Sequence, residues 1–210
     1  MKTDYYIDYI SKEEAETILK KHHYLSVKKI SKDFKSGVNF GLFYGGIPIN
    51  DGMYFGGELV GVCIFTGFPV PELSVSMFGL ERDDQDGLYE LSRLCLIPSH
   101  QEREHNITSW FTSRCLKAMK VSHNSRAVLS YSDTGHHKGV IYRACNFKYY
   151  GKTKQKSDFF IKEKDGIFTK MSRGETKGID GEWRKRSLKD RFVIIWDKKL
   201  KMKWMEIKRK

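Results

Sequence analysis

The chain has 210 residues and a formal net charge of +12, from 38 Lys and Arg against 26 Asp and Glu. A content of 40% hydrophobic and 13% aromatic residues is ordinary for a globular protein and excludes disorder along the whole chain. No apolar run approaches the ~18 residues that cross a bilayer, and the N-terminal segment carries acidic residues, unlike a signal peptide, so we expect a cytoplasmic protein with no membrane partner.

The first forty residues predict one helix and a loop. Ser11 is followed by acidic residues and begins the helix, in which Ile18 and Leu19 face inward. The helix is expected to end before His22. Residues 26–41 are mixed and basic, so a loop is predicted there.

Strand signals follow this loop. Residues 53–57 and 58–65 are predicted as two strands joined by a tight turn at their glycine pair. The proline- and acid-rich segment 69–87 is predicted as an exposed connection. Residues 88–97 predict a largely apolar strand that is stopped by Pro98.

Helices and strands alternate after this strand. The polar stretch 99–106 is predicted as a loop that leads into a helix over 107–121, with Asn106 as its N-cap. Apolar residues in this helix recur at helical spacing. The remaining predicted elements are a strand at 127–131, a helix at about 138–145, and strands at 147–150, 158–162, 167–171 and 191–196. The stretch between the last two strands is predicted as a polar loop, and the apolar run of 191–196 indicates a buried strand.

The order of these elements predicts an α/β fold. Strand, helix, strand, helix and strand in succession favour a mixed, twisted sheet with parallel neighbours, flanked by helices. The length suits a single domain over residues 1–210. Within it, residues 1–151 are expected to form the core and residues 152–210 a basic, β-rich C-terminal extension.

The positive charge lies almost entirely in this C-terminal part. Residues 1–151 hold 18 Lys and Arg against 17 Asp and Glu, whereas residues 152–210 hold 20 against 9. Aromatic residues are interleaved with the basic ones, which suits contact with a nucleic-acid backbone. The alternative is a solvated, lysine-rich surface. The candidate nucleic-acid-binding residues are Lys152, Lys154, Lys156, Arg184, Lys185 and Arg186.

The four cysteines, Cys63, Cys95, Cys115 and Cys145, form no closely spaced pair. Zinc ribbons and redox dithiols use such pairs, so neither is expected. We predict free thiols, most of them buried as small apolar side chains.

Arg93 lies inside an otherwise apolar predicted strand. Strand alternation predicts Leu91, Arg93 and Cys95 on one face, with Glu90 on the other. A guanidinium group in such a place is costly unless it is paired with a carboxylate or with a ligand phosphate. Arg93 is therefore a candidate cofactor-binding residue, and a structural salt bridge to Glu90 or Asp133 is the alternative.

Asp133 and Tyr142 are candidate catalytic residues. Asp133 follows a predicted strand, and ligands of α/β sheets bind at the carboxyl ends of strands. Its carboxylate is suited to act as general base on an exocyclic amine or to hold a metal; alternatively, it shapes the turn. Tyr142 lies in the next predicted helix, and its hydroxyl is suited to orient a substrate or to protonate a thiolate leaving group. The alternative is that Tyr142 fills the core.

The predicted loop before the long helix is a candidate anion site. A helix N-terminus carries unpaired amides and partial positive charge. The residues that would contact a cofactor phosphate there are Arg103, Asn106 and Ser109. An ordinary capped helix is the alternative.

Two pairs of adjacent histidines are candidate metal ligands. Adjacent side chains point in different directions, so neither His22 with His23 nor His136 with His137 chelates one metal easily. One residue from each pair, together with Asp133, would suit a transition metal. The alternative is that most of these histidines face solvent.

Several motifs together resemble Mom-type phage DNA modification proteins. They occur in order over roughly residues 20–200, and the segment 131–151 carries the strongest resemblance. The motifs are His23-Tyr24, VGVCIFTGFPVPE, ELSRL, a helix led by Asn106 and Ser109, YSDTGHHKGVIYRACNFKYYG and KDRFVIIW.

This resemblance implies a GNAT fold and an enzyme that converts adenine in phage DNA to an N6-carbamoylmethyl derivative, which protects the DNA from restriction endonucleases. By motif, Arg93 matches a strand arginine implicated in cofactor binding, Asp133 and Tyr142 match active-site residues, and Tyr24 matches an N-terminal active-site tyrosine. Acetyl-CoA or a related acyl-CoA and iron are the cofactors that the resemblance implies, and DNA is the partner.

Glycine is absent from the candidate anion loop, residues 103–108, which wraps the CoA pyrophosphate in GNAT acyltransferases. Two other functions remain open from the sequence. One is a GNAT acetyltransferase acting on a protein or small-molecule amine, and the other is a non-catalytic nucleic-acid-binding protein.

Overall fold

The computed structural model describes residues 4–23, 35–49, 53–163, 166–171, 174 and 176–208. Its strands are β1 (Tyr5–Tyr9), β2 (Val38–Tyr44), β3 (Ile47–Pro48), β4 (Tyr54–Phe55), β5 (Glu58–Gly67), β6 (Leu88–Leu96), β7 (Ala127–Asp133), β8 (Lys148–Lys152), β9 (Ser157–Lys162), β10 (Phe168–Lys170), β11 (Glu182–Lys185) and β12 (Lys189–Ile195). Its helices are α1 (Lys12–His22), α2 (Glu72–Phe78), α3 (Pro98–Arg103), α4 (Ile107–Ser122) and α5 (Val140–Ala144).

A seven-stranded sheet in the order β1-β2-β5-β6-β7-β12-β8 organises the described residues. Its neighbouring strands are antiparallel except β6 and β7, which run parallel. The predicted α/β architecture with a mixed sheet is therefore confirmed.

Helices cover both faces of this sheet. Adjacent residues of β5 show the two sides: Cys63 packs in the cluster under α4 and α5, whereas Val62 packs under α1. The same alternation in β12 sends Phe192 toward α5 and Val193 toward α2. Met202 and Trp204 also pack on the second side, where Leu200 is buried beside α2.

The start of α1 follows the sequence signal. The Ser11 hydroxyl accepts a hydrogen bond from the Glu14 backbone N–H, and the Glu14 carboxylate accepts one from the Ser11 N–H. This reciprocal pair satisfies two amides that the helix leaves open. Ile18 and Leu19 are buried, as predicted.

Several elements lie where connections were predicted. β1 was not predicted, and β2 occupies part of the predicted loop at 26–41. β2 is buried along most of its length, so its side chains lack the alternation of a half-exposed strand. α2 and β11 also lie in stretches predicted as connections, and α3 lies in the predicted polar loop. Pro98 occupies the first turn of α3, where its missing N–H costs nothing.

The predicted hairpin of residues 53–57 with 58–65 is wrong in its pairing. β4 pairs with β3, whereas β5 pairs with β2 and β6. Gly57 has a φ of 102°, which lets the chain turn away from the small hairpin into β5.

The basic C-terminal part divides into three pieces. Residues 153–188 are inserted between the neighbouring strands β8 and β12, and they contain a separate sheet in the order β10-β9-β11. β12 lies inside the large sheet, as its apolar run predicted. The residues after β12 first pack beside α2, through Leu200, Met202 and Trp204, and then contact β8 at Glu206 and Ile207. No helix in the described part of the chain is long and apolar enough to span a bilayer.

Gly139 gives a stability prediction for the packing of α5. Its φ is 65°, and a Cβ there would lie 2.5 Å from the Phe192 ring, which is fully buried. Gly56 has a similar φ of 70° but no atom within 4 Å of such a Cβ. Both Ala variants should lose about 1 kcal/mol to the left-handed backbone, and Gly139→Ala a further 1–3 kcal/mol or so to overpacking.

Urea unfolding of the two variants measures this difference. Equal free energies of unfolding for Gly139→Ala and Gly56→Ala would contradict the contact between Gly139 and Phe192.

Candidate active site

The parallel strands β6 and β7 separate partway along their length. They pair from Leu88 with Ala127 to Leu91 with Ser130. Beyond these pairs, β6 continues to Leu96 and β7 to Asp133. An opening through the sheet follows from this separation.

A β-bulge at Ser92 coincides with the separation. Ile64 of β5 pairs with Arg93, but the next residue, Phe65, pairs with Leu91, so Ser92 is the extra residue. The bulge reverses the alternation of side chains. Leu91 therefore packs in the cluster under α4, while Cys95 packs under α1.

This corrects the predicted placement of Leu91, Arg93 and Cys95 on one face. Arg93 pairs with Ile64, which lies under α1, so Arg93 shares the side of Cys95 and not that of Leu91. The sequence alternation fails here because the bulge adds one residue to β6.

A polar cavity of about 80 Å³ lies at the opening, and we call it the polar chamber. The predicted residues Arg93, Asp133 and Tyr142 all line it, so the structure brings these three together. The chamber is also lined by His23, Glu90, Leu91, Ser92, Leu94, Tyr131, His137 and Lys189.

A larger cavity of about 360 Å³, which we call the apolar cleft, adjoins the chamber. His23, Leu94, His137 and Tyr142 line both cavities. The walls of the cleft come mainly from the end of β6 and from α5, with Thr108 from the first turn of α4. Its further residues are His22, Cys95, Leu96, Pro98, Gln101, Lys138, Gly139, Val140 and Ile141.

Asp133 both shapes a turn and lines the chamber. Its Oδ1 accepts a hydrogen bond from the Gly135 N–H at 2.9 Å. Burial raises the pKa of this carboxyl, but hydrogen bonds from Ser187 and Gly135 and nearby positive charge outweigh that effect and leave the pKa below its ordinary value. Asp133 is therefore an anion at neutral pH and a weak base.

Arg93 forms no salt bridge among the described residues, although its charge acts on Glu90: burial raises the pKa of that carboxyl, and Arg93 opposes the rise. Its Nη1 donates to the Ser92 carbonyl oxygen at 2.7 Å, and its buried Nε makes no hydrogen bond within the described chain. The salt bridge to Glu90 or Asp133 that the sequence left open is thus absent, and the guanidinium retains donor capacity for an anion.

Tyr142 lies both in the core and in the lining of the chamber. Its ring is buried and packs against Phe147 and Phe192. Its hydroxyl lies 3.4 Å from the Tyr131 carbonyl oxygen, at the edge of the chamber. Its ring therefore belongs to the core, and the role of Tyr142 in chemistry stays a prediction.

The other predicted cofactor residues do not join this site. The Arg103 guanidinium lies over the Tyr44 ring, 5.0 Å from its centre. Asn106 and Ser109 line a separate, open depression together with Trp110 and Lys117. Tyr24 lies outside the described residues.

Asn106 is the N-cap residue of α4, as predicted, but it does not cap the helix through its side chain, which accepts no hydrogen bond from the helix. Its backbone is left-handed, with a φ of 60°, a conformation in which asparagine substitutes for glycine better than most residues. Asn106 thus adopts the left-handed backbone conformation that usually requires glycine, in a loop that contains no glycine.

Sequence reasoning missed several chamber residues. Glu90 was predicted on the face opposite Arg93. Lys189 was not considered; it is the backbone partner of Asp133 in the antiparallel pairing of β12 with β7. Burial raises the pKa of Glu90 and raises that of Tyr131 to about 12. The only sequence signal was the proximity of Glu90 to Arg93, because the bulge and the strand order are not visible in one sequence.

The described part of the chain contains no set of side chains that fits an iron ion. His23 and His137 both line the chamber with Asp133, but no group of three or more His, Cys, Asp or Glu there is arranged to hold a metal ion. The four cysteines are free and buried, as predicted.

The predicted nucleic-acid-binding residues are all exposed. Lys152 ends β8, Lys154 and Lys156 follow it, and the others lie on or next to β11. Arg184 pairs with Glu182 and lies 3.6 Å from the centre of the Phe168 ring, and Arg186 pairs with Asp158. The arginines thus also hold the small sheet together.

The insertion contacts the turn that carries Asp133. The Thr134 N–H donates to the Leu188 carbonyl oxygen at 3.0 Å, and the Thr134 hydroxyl donates to the same oxygen at 2.8 Å. Ser187 donates to the Asp133 carboxylate. The end of the basic insertion is therefore attached to the rim of the chamber.

His23 makes the stability of the protein depend on pH. Burial, with Arg93 and two other histidines, lowers the pKa of His23 from 6.5 to about 4. The unfolded chain then binds more protons between these values, so stability falls as the pH falls from 6.5 toward 4. Between about pH 7.5 and about pH 5 this group should cost about 2 kcal/mol.

Chemical denaturation of the wild type and of His23→Gln at both pH values isolates this contribution. The variant should lose about 2 kcal/mol less stability on acidification than the wild type. The same loss in both proteins would show that His23 is not buried as a neutral ring.

The fold has relatives among solved acetyltransferases. A spermidine N-acetyltransferase variant from Vibrio cholerae superimposes with a TM-score of 0.52 at 10% identity, over 92% of this chain and 94% of that one. A Bacillus subtilis acetyltransferase in complex with CoA gives 0.50 at 12% identity, over 92% and 98%. A GNAT family acetyltransferase from Elizabethkingia anophelis with acetyl-CoA bound gives 0.50 at 9% identity, over 92% and 99%. The chain therefore has the GNAT fold.

A search of curated proteins finds no match. The model of the Mom protein family matches residues 4–201, nearly the whole chain. The chain belongs to the Mom protein family.

Proposed function

We propose that this protein is a group-transfer enzyme that modifies the exocyclic amine of adenine in DNA. The product is an N6-carbamoylmethyl-type adduct, which protects the DNA from restriction endonucleases. Membership of the Mom family supports this activity. The observation that carries it is the opening between β6 and β7, where a polar chamber meets an apolar cleft.

The chamber suits an amine-bearing planar base. It combines the carboxylates Glu90 and Asp133 with the cations Arg93 and Lys189 in a small, partly enclosed space. Hydrogen-bonding groups of both kinds match the donor and acceptor atoms on the edge of adenine. The base of a duplex must leave the stack to enter such a cavity.

The apolar cleft fits the arm of an acyl-CoA-type donor. Leu94, Leu96, Val140 and Ile141 provide apolar walls, and the positive end of the α4 dipole opens onto the cleft at Thr108. In the adjoining chamber, the Arg93 guanidinium offers donors to an anionic or carbonyl oxygen. Such a cofactor would supply an acyl carbon with a thiolate as leaving group. Acetyl transfer alone does not give a carbamoylmethyl group, whose amide nitrogen requires a further donor. The CoA bound to the Bacillus subtilis relative supports this donor class.

The basic insertion suits the DNA backbone. Lys154 and Lys156 are exposed on the segment that leads into the small sheet. The other end of the insertion is attached to Asp133 and Thr134 through Ser187 and Leu188. A backbone held by this surface would lie beside the mouth of the chamber, so binding and chemistry share one edge of the sheet.

Asp133→Asn tests the chemistry without removing the turn. The amide oxygen still accepts from the Gly135 N–H, but the negative charge is lost. We expect the amount of adenine adduct to fall by roughly 100-fold or more in Asp133→Asn. Folding and DNA affinity should not change. Asp133→Ala should lose the adduct as well.

Mass spectrometry of nucleosides, from DNA of cells that express each variant, measures this outcome. A new adenine adduct in wild-type cells supports the proposal, and an equal adduct level in the Asp133 variants removes Asp133 from the mechanism. Acetylated peptides or metabolites without an adenine adduct would favour a GNAT acetyltransferase acting on other amines. No chemical change would favour a non-catalytic binding protein.

The position of the DNA surface gives a separate prediction. Lys154→Glu with Lys156→Glu should weaken DNA binding and lower the slope of log affinity against log salt by about 2, since each lost phosphate contact removes about 1. The matched control is Lys198→Glu with Lys199→Glu, beyond the opposite end of β12.

Fluorescence anisotropy with duplex DNA at several salt concentrations gives both slopes. The control pair should bind like the wild type. Equal losses in the two double variants would mean that DNA is held by overall charge rather than by the insertion.

A further inference from the structure

His137 lies where the polar chamber meets the apolar cleft, and it lines both cavities. The turn after β7 fixes its position. The backbone N–H groups of His136 and His137 each donate to the Asp133 carbonyl oxygen at 3.0 Å. The centre of the His137 ring lies 6.3 Å from that of the Tyr142 ring. The imidazole therefore belongs to the same site as the three residues predicted from the sequence.

Ser132 determines which ring nitrogen of His137 carries the proton. The buried Ser132 hydroxyl lies 2.8 Å from His137 Nδ1 and also 2.8 Å from the His137 carbonyl oxygen. A carbonyl oxygen only accepts, so the single hydroxyl hydrogen of Ser132 goes to it. Nδ1 must then donate its own hydrogen to the Ser132 oxygen. In the neutral ring, Nε2 is consequently the basic nitrogen.

The surroundings of His137 keep the ring neutral at pH 7. Partial burial lowers the pKa of His137 below its ordinary value, against the opposing effect of the Asp133 carboxylate. The ionisable groups around it are His23 at the end of α1, Glu90 and Arg93 on β6, His136 in its own turn, Lys189 on β12 and Tyr142 on α5. A neutral imidazole is a stronger base than the hydrogen-bonded Asp133 carboxylate.

We propose that Nε2 of His137 accepts the proton that the acceptor amine loses during transfer, an assignment that rests on the proposed function. A bond forms between the amine nitrogen and the donor carbon, and the bond from that carbon to its leaving group breaks. The electron pair departs with the leaving group, and one N–H proton passes to Nε2. The resulting imidazolium is stabilised by the neighbouring Asp133 carboxylate.

This assignment separates two roles. His137 is the catalytic base, and Asp133 is the anion that balances its charge. Ser132 acts as a positioning residue, since it touches the ring and not the substrate.

Extract of cells that express the full chain, mixed with unmodified plasmid DNA, provides the assay, because the extract supplies the donor. The readout is the initial rate of adenine adduct formation between about pH 5 and about pH 8. His137→Asn should be roughly 100-fold slower at neutral pH. His136→Asn, at the neighbouring histidine that lines neither cavity, should keep the wild-type rate. The wild-type rate should fall as the pH drops below 6.5, because protonation removes the base. The residual rate of His137→Asn should lack this fall.

Ser132→Ala provides a second variant that keeps the imidazole. It should lower the rate several-fold and release the preference for the Nδ1–H tautomer. Nitrogen-15 NMR of histidine-labelled wild-type protein reads the tautomer directly, without substrate, and should find the hydrogen on Nδ1.

Three outcomes overturn the assignment: a wild-type rate in His137→Asn, an NMR spectrum with the hydrogen on Nε2, or an acidic fall that persists in His137→Asn and disappears in Glu90→Gln. The last result would make Glu90 the base. Failure of the proposed function looks different: the wild type would form no adenine adduct at any pH, whatever the NMR tautomer.

Discussion

The site depends on the hydrogen bonds that β6 and β7 do not make beyond Leu91 and Ser130. In a continuous sheet these backbone groups would pair and close the space between the strands. The bulge at Ser92 turns β6 away, and the opening connects the two sides of the sheet. The polar chamber and the apolar cleft both lie at this opening and share four lining residues.

The charges of the site follow from the same opening. Arg93 is brought to the α1 side by the bulge, and Glu90 lies just before it on the same strand. β7 contributes Asp133 at its end, and β12 contributes Lys189 opposite. The turn after β7 then supplies His137 and, through Thr134, a contact with the basic insertion. The proposed proton acceptor and the contact with the basic insertion thus belong to one short segment, residues 133–137.

Much of this arrangement could be predicted from the sequence. The capping box at Ser11, the buried strand in 191–196 and the convergence of Asp133 with Tyr142 follow from local signals. The bulge could not be predicted, because it depends on pairing with β5, which lies far away along the chain. The strand order β7-β12-β8 places Lys189 beside Asp133, and no periodicity in the sequence indicates it. The tautomer of His137 depends on the position of one hydroxyl.

A crystal structure of the protein with CoA tests the role of the opening most directly. The account predicts that the pantetheine arm lies between β6 and β7, beside Leu94 and Val140, with its sulfur facing the polar chamber. CoA bound at the open depression beside Trp110 and Lys117, with the space between β6 and β7 empty, would contradict it.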